Sequence, residues 1–168
     1  EAIQTMKEVK IVVFDKTVTI TKGKPEVTDI YSKVKETYLL EVAASLEKLS
    51  EHPVAKAIVA KADLKKYKTV KKFVIVRGKG VTGNIGTKSF LIGNRALMND
   101  SHISLNTFEE KIVSYELQGK TTMIVAENKK VIGVIAVADA IKEDSTRALA
   151  LLTSHGYRTV MLTGDNER

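Results

Sequence analysis

Lys10-Ile11-Val12-Val13-Phe14-Asp15-Lys16-Thr17-Val18-Thr19 is the stretch that decides the fold. Ile11 to Phe14 is a short apolar run rich in β-branched residues, which predicts a buried strand. It runs without a break into Asp15 and a polar loop. A carboxylate at that place is held by a rigid strand while its oxygens face the open edge of the sheet, the placement a nucleophilic Asp needs to accept a phosphoryl group. Lys16 adds positive charge beside it, and Thr17 and Thr19 add hydroxyl and backbone groups. An ordinary strand-end turn carries the same residue types, since Asp is frequent there.

A second stretch of the same form closes the chain. Thr159 to Leu162 reads as another buried strand, followed by Thr163-Gly164-Asp165-Asn166. Thr163 and the flexible backbone of Gly164 suit the gripping of phosphate oxygens, and Asp165 suits positioning of Mg²⁺ or Lys16. Alone this is a turn sequence. With the first stretch it predicts two neighbouring strands of one parallel sheet, their polar ends side by side at the edge where open α/β sheets bind ligands.

Between them lies material of a different kind. Glu26 to Tyr31 predicts an edge strand. Leu39, Val42, Ala43, Leu46 and Leu49 fall at helical spacing within Lys35 to Leu49. Ser50-Glu51-His52-Pro53 ends that helix, and Pro53 suits the first turn of the next, where its missing N–H costs nothing. Val70 to Val76 predicts a strand, Gly78 to Gly86 a glycine-rich turn region, Phe90 to Ile92 a short strand, and Leu105 to Leu117 a helix capped by Gly119. Thr121 to Ala126 and Val131 to Val137 predict two strands around a turn, and Lys142 to Ser154 a helix. The organisation is nested. Residues 1–24 and 132–168 form one discontinuous domain with an incomplete parallel sheet, and residues 25–131 form an inserted α+β domain.

Two letter patterns fail on context. Gly78-Lys79-Gly80-Val81-Thr82-Gly83 spells a dinucleotide fingerprint, but that fingerprint must open a helix and turn and strand follow here. Its glycines still permit a flat ligand to approach the backbone, as a plain hairpin turn also would. Gly119-Lys120-Thr121 resembles the end of a Walker loop, but Ser114 stands where that loop needs glycine. His52 is read either as a helix cap or as a ring stacked on a base, with Glu51 accepting from an amino group.

Composition narrows the classes. The 168 residues contain no cysteine, which excludes disulfides, thiolate metal sites and a cysteine nucleophile. No apolar run approaches the roughly 20 residues of a membrane-spanning helix, and the N-terminus carries no signal-peptide pattern. The formal net charge is +7. That charge is the only support for a nucleic-acid-binding module, because the Lys-rich run Lys61 to Lys72 has no arginine and a single aromatic residue, Tyr67.

Taken together and in this order, the clusters resemble the phosphorylation and nucleotide-binding domains of P-type ATPases of the heavy-metal branch, the copper and zinc type. Asp15-Lys16-Thr17-Val18-Thr19-Ile20-Thr21 resembles the signature whose Asp becomes the aspartyl-phosphate. Ser50-Glu51-His52-Pro53 resembles the His-Pro motif of that branch, Gly78-Lys79-Gly80 its glycine pair beside the nucleotide, and Thr163-Gly164-Asp165-Asn166 its phosphate-gripping segment.

The resemblance implies a haloacid-dehalogenase-like sheet with an inserted nucleotide-binding domain. It implies Asp15 as nucleophile on the γ-phosphate of ATP and Mg²⁺ shared by phosphate, Asp15 and the backbone carbonyl of Thr17. Lys16, Thr163, Gly164 and Asp165 would serve the transferring group. Glu51, His52, Gly78 and Gly80 would hold adenosine in ATP or ADP. In the intact pump, partners would be the transmembrane and actuator domains of the same chain, with this region cytoplasmic, making no membrane insertion and binding no nucleic acid.

Two departures stand out. Val18 occupies a position where the family has Gly, and the chain ends at Arg168, before the family's further Lys and Gly-Asp-Gly segment. The expectation is nucleotide binding with little or no turnover. A free-standing phosphatase or phosphotransferase of the haloacid-dehalogenase-like type is the alternative.

Overall fold

The computed structural model describes residues 9–162. The chain divides into two compact units, one built from residues up to Lys24 and from Asp139 onward, the other from Pro25–Ala138.

The first unit contains a two-stranded parallel sheet. Strand β1 (Ile11–Asp15) pairs with β8 (Arg158–Leu162), Ile11 opposite Arg158 and Asp15 opposite Leu162. Ahead of β8 runs helix α5 (Glu143–Ser154), with Glu143 and Asp144 placed to favour its positive N-terminus. The sequence predicts both strands buried, and here the structure differs. Ile11 is 51% exposed, Val13 52% and Met161 52%. Among the described residues β1 and β8 pair only with each other, and α5 buries none of its side chains.

The second unit is organised on a six-stranded sheet in the order β2-β7-β6-β5-β4-β3. Its strands are β2 (Thr21–Ser32), β3 (Val70–Val76), β4 (Gly80–Ile85), β5 (Lys88–Gly93), β6 (Thr121–Glu127) and β7 (Lys130–Ile141). β3 to β7 pair antiparallel in succession, while β1 and β8 are parallel, so the fold is mixed α/β. β2 and β7 each extend past the boundary between the units. β2 continues through Gly23 and Pro25, where the sequence predicts a change of direction; on an edge strand a proline's missing N–H need not cost a ladder bond.

Side-chain alternation assigns the two faces. Val125, Ile135 and Val137 pack with Leu39, Val42, Leu46 and Ile58 of helices α1 (Glu36–Glu47) and α2 (Pro53–Ala62). Ile124, Ala126, Val134 and Ala136 point the other way. They pack with Leu97 and Met98 of α3 (Arg95–Asp100) and Ile112 and Tyr115 of α4 (Glu109–Leu117). Arg95 joins these last two helices, its guanidinium 3.0 Å from Glu116 and also paired with Glu109.

Two sequence expectations need correction. Gly78 to Gly86 is not a turn region, since Gly80–Ile85 is strand β4. Gly83 is there for close packing, because a Cβ would stand 2.7 Å from Val70 Cγ1. Helix α3 was not anticipated. Its signal is Asn94, whose side-chain oxygen accepts from the Leu97 N–H at 3.2 Å and caps the helix.

Candidate functional site

Asp15 ends β1 and is exposed. Its register partner is Leu162, so the carboxyl ends of two parallel strands lie together with the carboxylate at their edge. Thr163, Gly164 and Asp165 lie outside the described residues. Lys16–Ile20 forms a single π-type turn. Such turns are rare and gather at functional sites.

The loop is tied from inside its own unit. Thr21 is 3% exposed. Its Oγ1 accepts from the Val18 N–H at 3.3 Å. Its hydroxyl donates to Oδ2 of Asp139 at 2.7 Å, and the Lys16 carbonyl stands at 3.3 Å. Asp139 Oδ1 is buried and takes no hydrogen bond. Lys142, at the head of α5, donates its backbone N–H to the Ile20 carbonyl at 2.9 Å and its Nζ to the Val18 carbonyl. Val18 itself has φ +66°, a left-handed conformation that a β-branched residue rarely adopts.

The second group of predicted residues sits in the sheet unit. His52 is exposed and caps α2, its Nδ1 accepting from the Val54 N–H at 3.2 Å. That bond uses Nδ1 as the acceptor, so in the neutral ring the proton sits on Nε2. Glu51 precedes it, exposed.

Gly78 (φ +70°) and Gly80 (φ +144°) begin the hairpin from β3 into β4. Gly80 registers with Gly93. A Cβ on Gly80 would lie 2.0 Å from the Ile92 carbonyl oxygen, and one on Gly93 2.1 Å from the Lys79 carbonyl oxygen. Asn94 completes the arrangement: Nδ2 donates to the Gly78 carbonyl at 3.0 Å, and its N–H donates to that of Lys79 at 2.9 Å. Gly80 and Gly93 therefore bring two strands into close backbone contact, with Gly78 and Asn94 exposed beside it.

Glu47 escaped sequence reasoning. It ends α1, next to Leu46, whose Cδ2 would stand 3.6 Å from a Cβ at Gly83 on β4. Its side chain is buried, Oε1 has no partner, and burial pushes its carboxyl up to about 7. The available signal was a lone acidic residue on the apolar stripe of a helix, where burial of an unpaired carboxyl is costly.

A resident Mg²⁺ can be judged against these groups. Among the described residues no three His, Cys, Asp or Glu side chains gather as an all-protein site. Asp15 fits the other way of holding Mg²⁺, by one or two carboxylates with phosphate oxygens and water.

The sequence from residue 9 to 168 matches the haloacid dehalogenase-like hydrolase family. The chain belongs to that family. Its relatives are heavy-metal pumps. It is 41% identical to a copper-exporting P-type ATPase of Staphylococcus saprophyticus, the match covering 100% of this chain and 21% of the pump. It is 39% identical to a probable copper-importing P-type ATPase A of Enterococcus hirae, covering 100% of this chain and 23% of that one. In three dimensions it resembles a zinc-transporting PIB-type ATPase in its E2.Pi state, with a TM-score of 0.81 and 34% identity over 95% of this chain and 26% of that structure. The chain thus spans about a fifth of the length of the curated relatives it matches. Among the described residues no helix is long and apolar enough to cross a membrane.

Proposed function

We propose that this chain is the nucleotide-binding and phosphoryl-accepting region of a heavy-metal-translocating P-type ATPase, in which ATP hydrolysis drives metal across a membrane. The observation that carries the reading is Asp15 at the carboxyl end of β1, in register with Leu162 of a parallel strand and followed by a turn laced to Thr21, Asp139 and Lys142. Asp15 is the nucleophile. Lys16 offsets charge on the transferring phosphoryl group, and Thr163, Gly164 and Asp165 complete that grip. Catalysis of this kind is mostly positioning and charge neutralisation. Asp15 and the Thr17 backbone carbonyl would hold Mg²⁺, which would supply neutralisation of phosphate charge.

Residues 25–131 hold the nucleotide. His52 Nε2 and its ring, Glu51, and the backbone of Gly78 and Gly80 take the adenosine. The partners are ATP or ADP and the transmembrane and actuator domains of the parent chain.

Calorimetric titration of the chain with a non-hydrolysable ATP analogue, with and without Mg²⁺, tests the reading beside His52→Ala. The expected result is micromolar-to-millimolar binding that needs His52 and is indifferent to Mg²⁺. In the parent-length pump, ATP should label the wild type covalently and leave Asp15→Asn unlabelled. Hydrolysis of an aryl phosphate without any nucleotide binding would move the assignment to a free-standing phosphatase.

A further inference from the structure

A pocket of about 320 Å³ opens on the sheet unit between Lys33, the segment Ser104 to Phe108 and the turn from β6 into β7. It is bordered by Phe108 and Val131, which pack with α3 and α4 on one face of the six-stranded sheet. His52 starts α2, which packs on the other face. The pocket thus lies on the opposite face from α2, and none of Glu51, His52, Gly78 or Gly80 lines it.

Its lining carries three lysines, Lys33, Lys129 and Lys130, and no acidic residue. None of the three has a carboxylate partner among the described residues, although Lys68, Lys79, Lys88 and Lys120 all do. Lys33 is already oriented: its Nζ bonds the Thr107 hydroxyl oxygen and stands 4.9 Å from the centre of the Phe108 ring. Thr107 keeps its own O–H to donate. Asn106 spends its carbonyl oxygen on the Ser104 hydroxyl at 2.6 Å, which leaves its NH₂. The pocket is thus rich in donors and poor in free acceptors.

The turn adds an independent observation. Asn128 and Lys129 are the two central residues between the paired Glu127 and Lys130, with φ +47° and +64°. A two-residue hairpin with both φ positive strongly favours Gly at the second place. This chain has a lysine there instead, at a cost in backbone strain of the kind found at functional sites.

From this we infer that the pocket binds a small phosphorylated anion, inorganic phosphate or a phosphomonoester. A phosphomonoester carries close to two negative charges and three acceptor oxygens at neutral pH, which suits three cations and spare N–H and O–H donors better than a carboxylate does. A free small ligand fits better than a lipid headgroup, because none of the strongly exposed large apolar side chains lines the rim.

The test is an amide chemical-shift titration of the full chain with inorganic phosphate and with glycerol 3-phosphate, against sodium chloride at matched ionic strength. Saturable shifts at Lys33, Thr107 and Lys129 are expected in the millimolar range. They should weaken at least fivefold in Lys130→Gln and in Lys129→Gly, and persist in the Lys65→Gln/Lys66→Gln double variant, which removes twice the charge of either elsewhere on the chain. Lys129→Gly should also melt at higher temperature, since Gly relieves the positive φ, so lost binding there is not lost folding. Absence of saturation, equal shifts with chloride, equal weakening in the Lys65/Lys66 variant, or shifts confined to His52 and Gly80 would each overturn the inference. So would sedimentation with phosphatidylglycerol vesicles without any response to the soluble phosphates.

Discussion

Thr21 and Asp139 meet through a 2.7 Å hydrogen bond across 118 positions of sequence. Through the same Thr21 oxygen, the bond reaches the Val18 N–H and the turn that follows Asp15. Thr21→Val removes the donor and leaves both carboxylate oxygens without it. Hydrogen bonds to charged groups contribute about 1.5–3 kcal/mol, so urea unfolding should show a loss of about that size. Asp139→Asn should give a smaller loss, and the double variant less than the sum. Strict additivity of the two single losses would mean that the pair is not coupled.

Val18 has φ +66° and is 61% exposed, so its strain is offset by little burial. The left-handed region costs an L-residue roughly 1–2 kcal/mol. Val18→Gly should therefore raise stability by about 1 kcal/mol, after allowance for the greater freedom of Gly in the unfolded chain. Val18→Ala should recover less than Val18→Gly, because Ala keeps the Cβ that opposes positive φ. In the parent pump Val18→Gly should also raise the rate of phosphoryl transfer; an unchanged rate would separate the strain from function.

Gly78 and Gly80 should respond differently to alanine. At Gly78 a Cβ meets nothing within 4 Å, so only φ +70° opposes it, and the cost should be about 1 kcal/mol. At Gly80 the Cβ falls 2.0 Å from the Ile92 carbonyl oxygen and 2.5 Å from the Gly93 Cα. Backbone must move, so Gly80→Ala should cost several times more in thermal unfolding and broaden amide signals of β4 and β5. Equal melting temperatures for the two variants would contradict this.

Glu47 makes stability depend on pH. Burial raises its folded-state carboxyl to about 7, so the folded chain holds this proton more tightly than the unfolded chain. Its contribution is therefore fully present below the unfolded carboxyl range and is lost as pH rises toward and through 7. The shift corresponds to roughly 3 kcal/mol between pH 4 and pH 8. Denaturant midpoints for the wild type should fall across that window relative to those of Glu47→Gln, in which the side chain does not titrate. Parallel pH profiles for the two proteins would place the titration elsewhere.

The strand-to-Asp15 junction, the helix broken before Pro53 and the β6–β7 hairpin were legible because each is local. Each rests on apolar periodicity, a proline's missing N–H or a run of turn residues, all within a few positions. The resemblance to P-type ATPases likewise pointed to Val18 as the odd residue in its loop. Tertiary structure decided the rest. Pairing alone brings Asp15 beside Leu162 and makes Gly80 and Gly93 a close backbone contact rather than a flexible turn. It also leaves Ile11 and Val13 exposed, because burial depends on what covers a strand and not on the strand's own composition. Glu47 and the Thr21–Asp139 bond were hidden for the same reason: the environment of a polar group is set by neighbours distant in sequence, and no local pattern encodes how dry that environment will be.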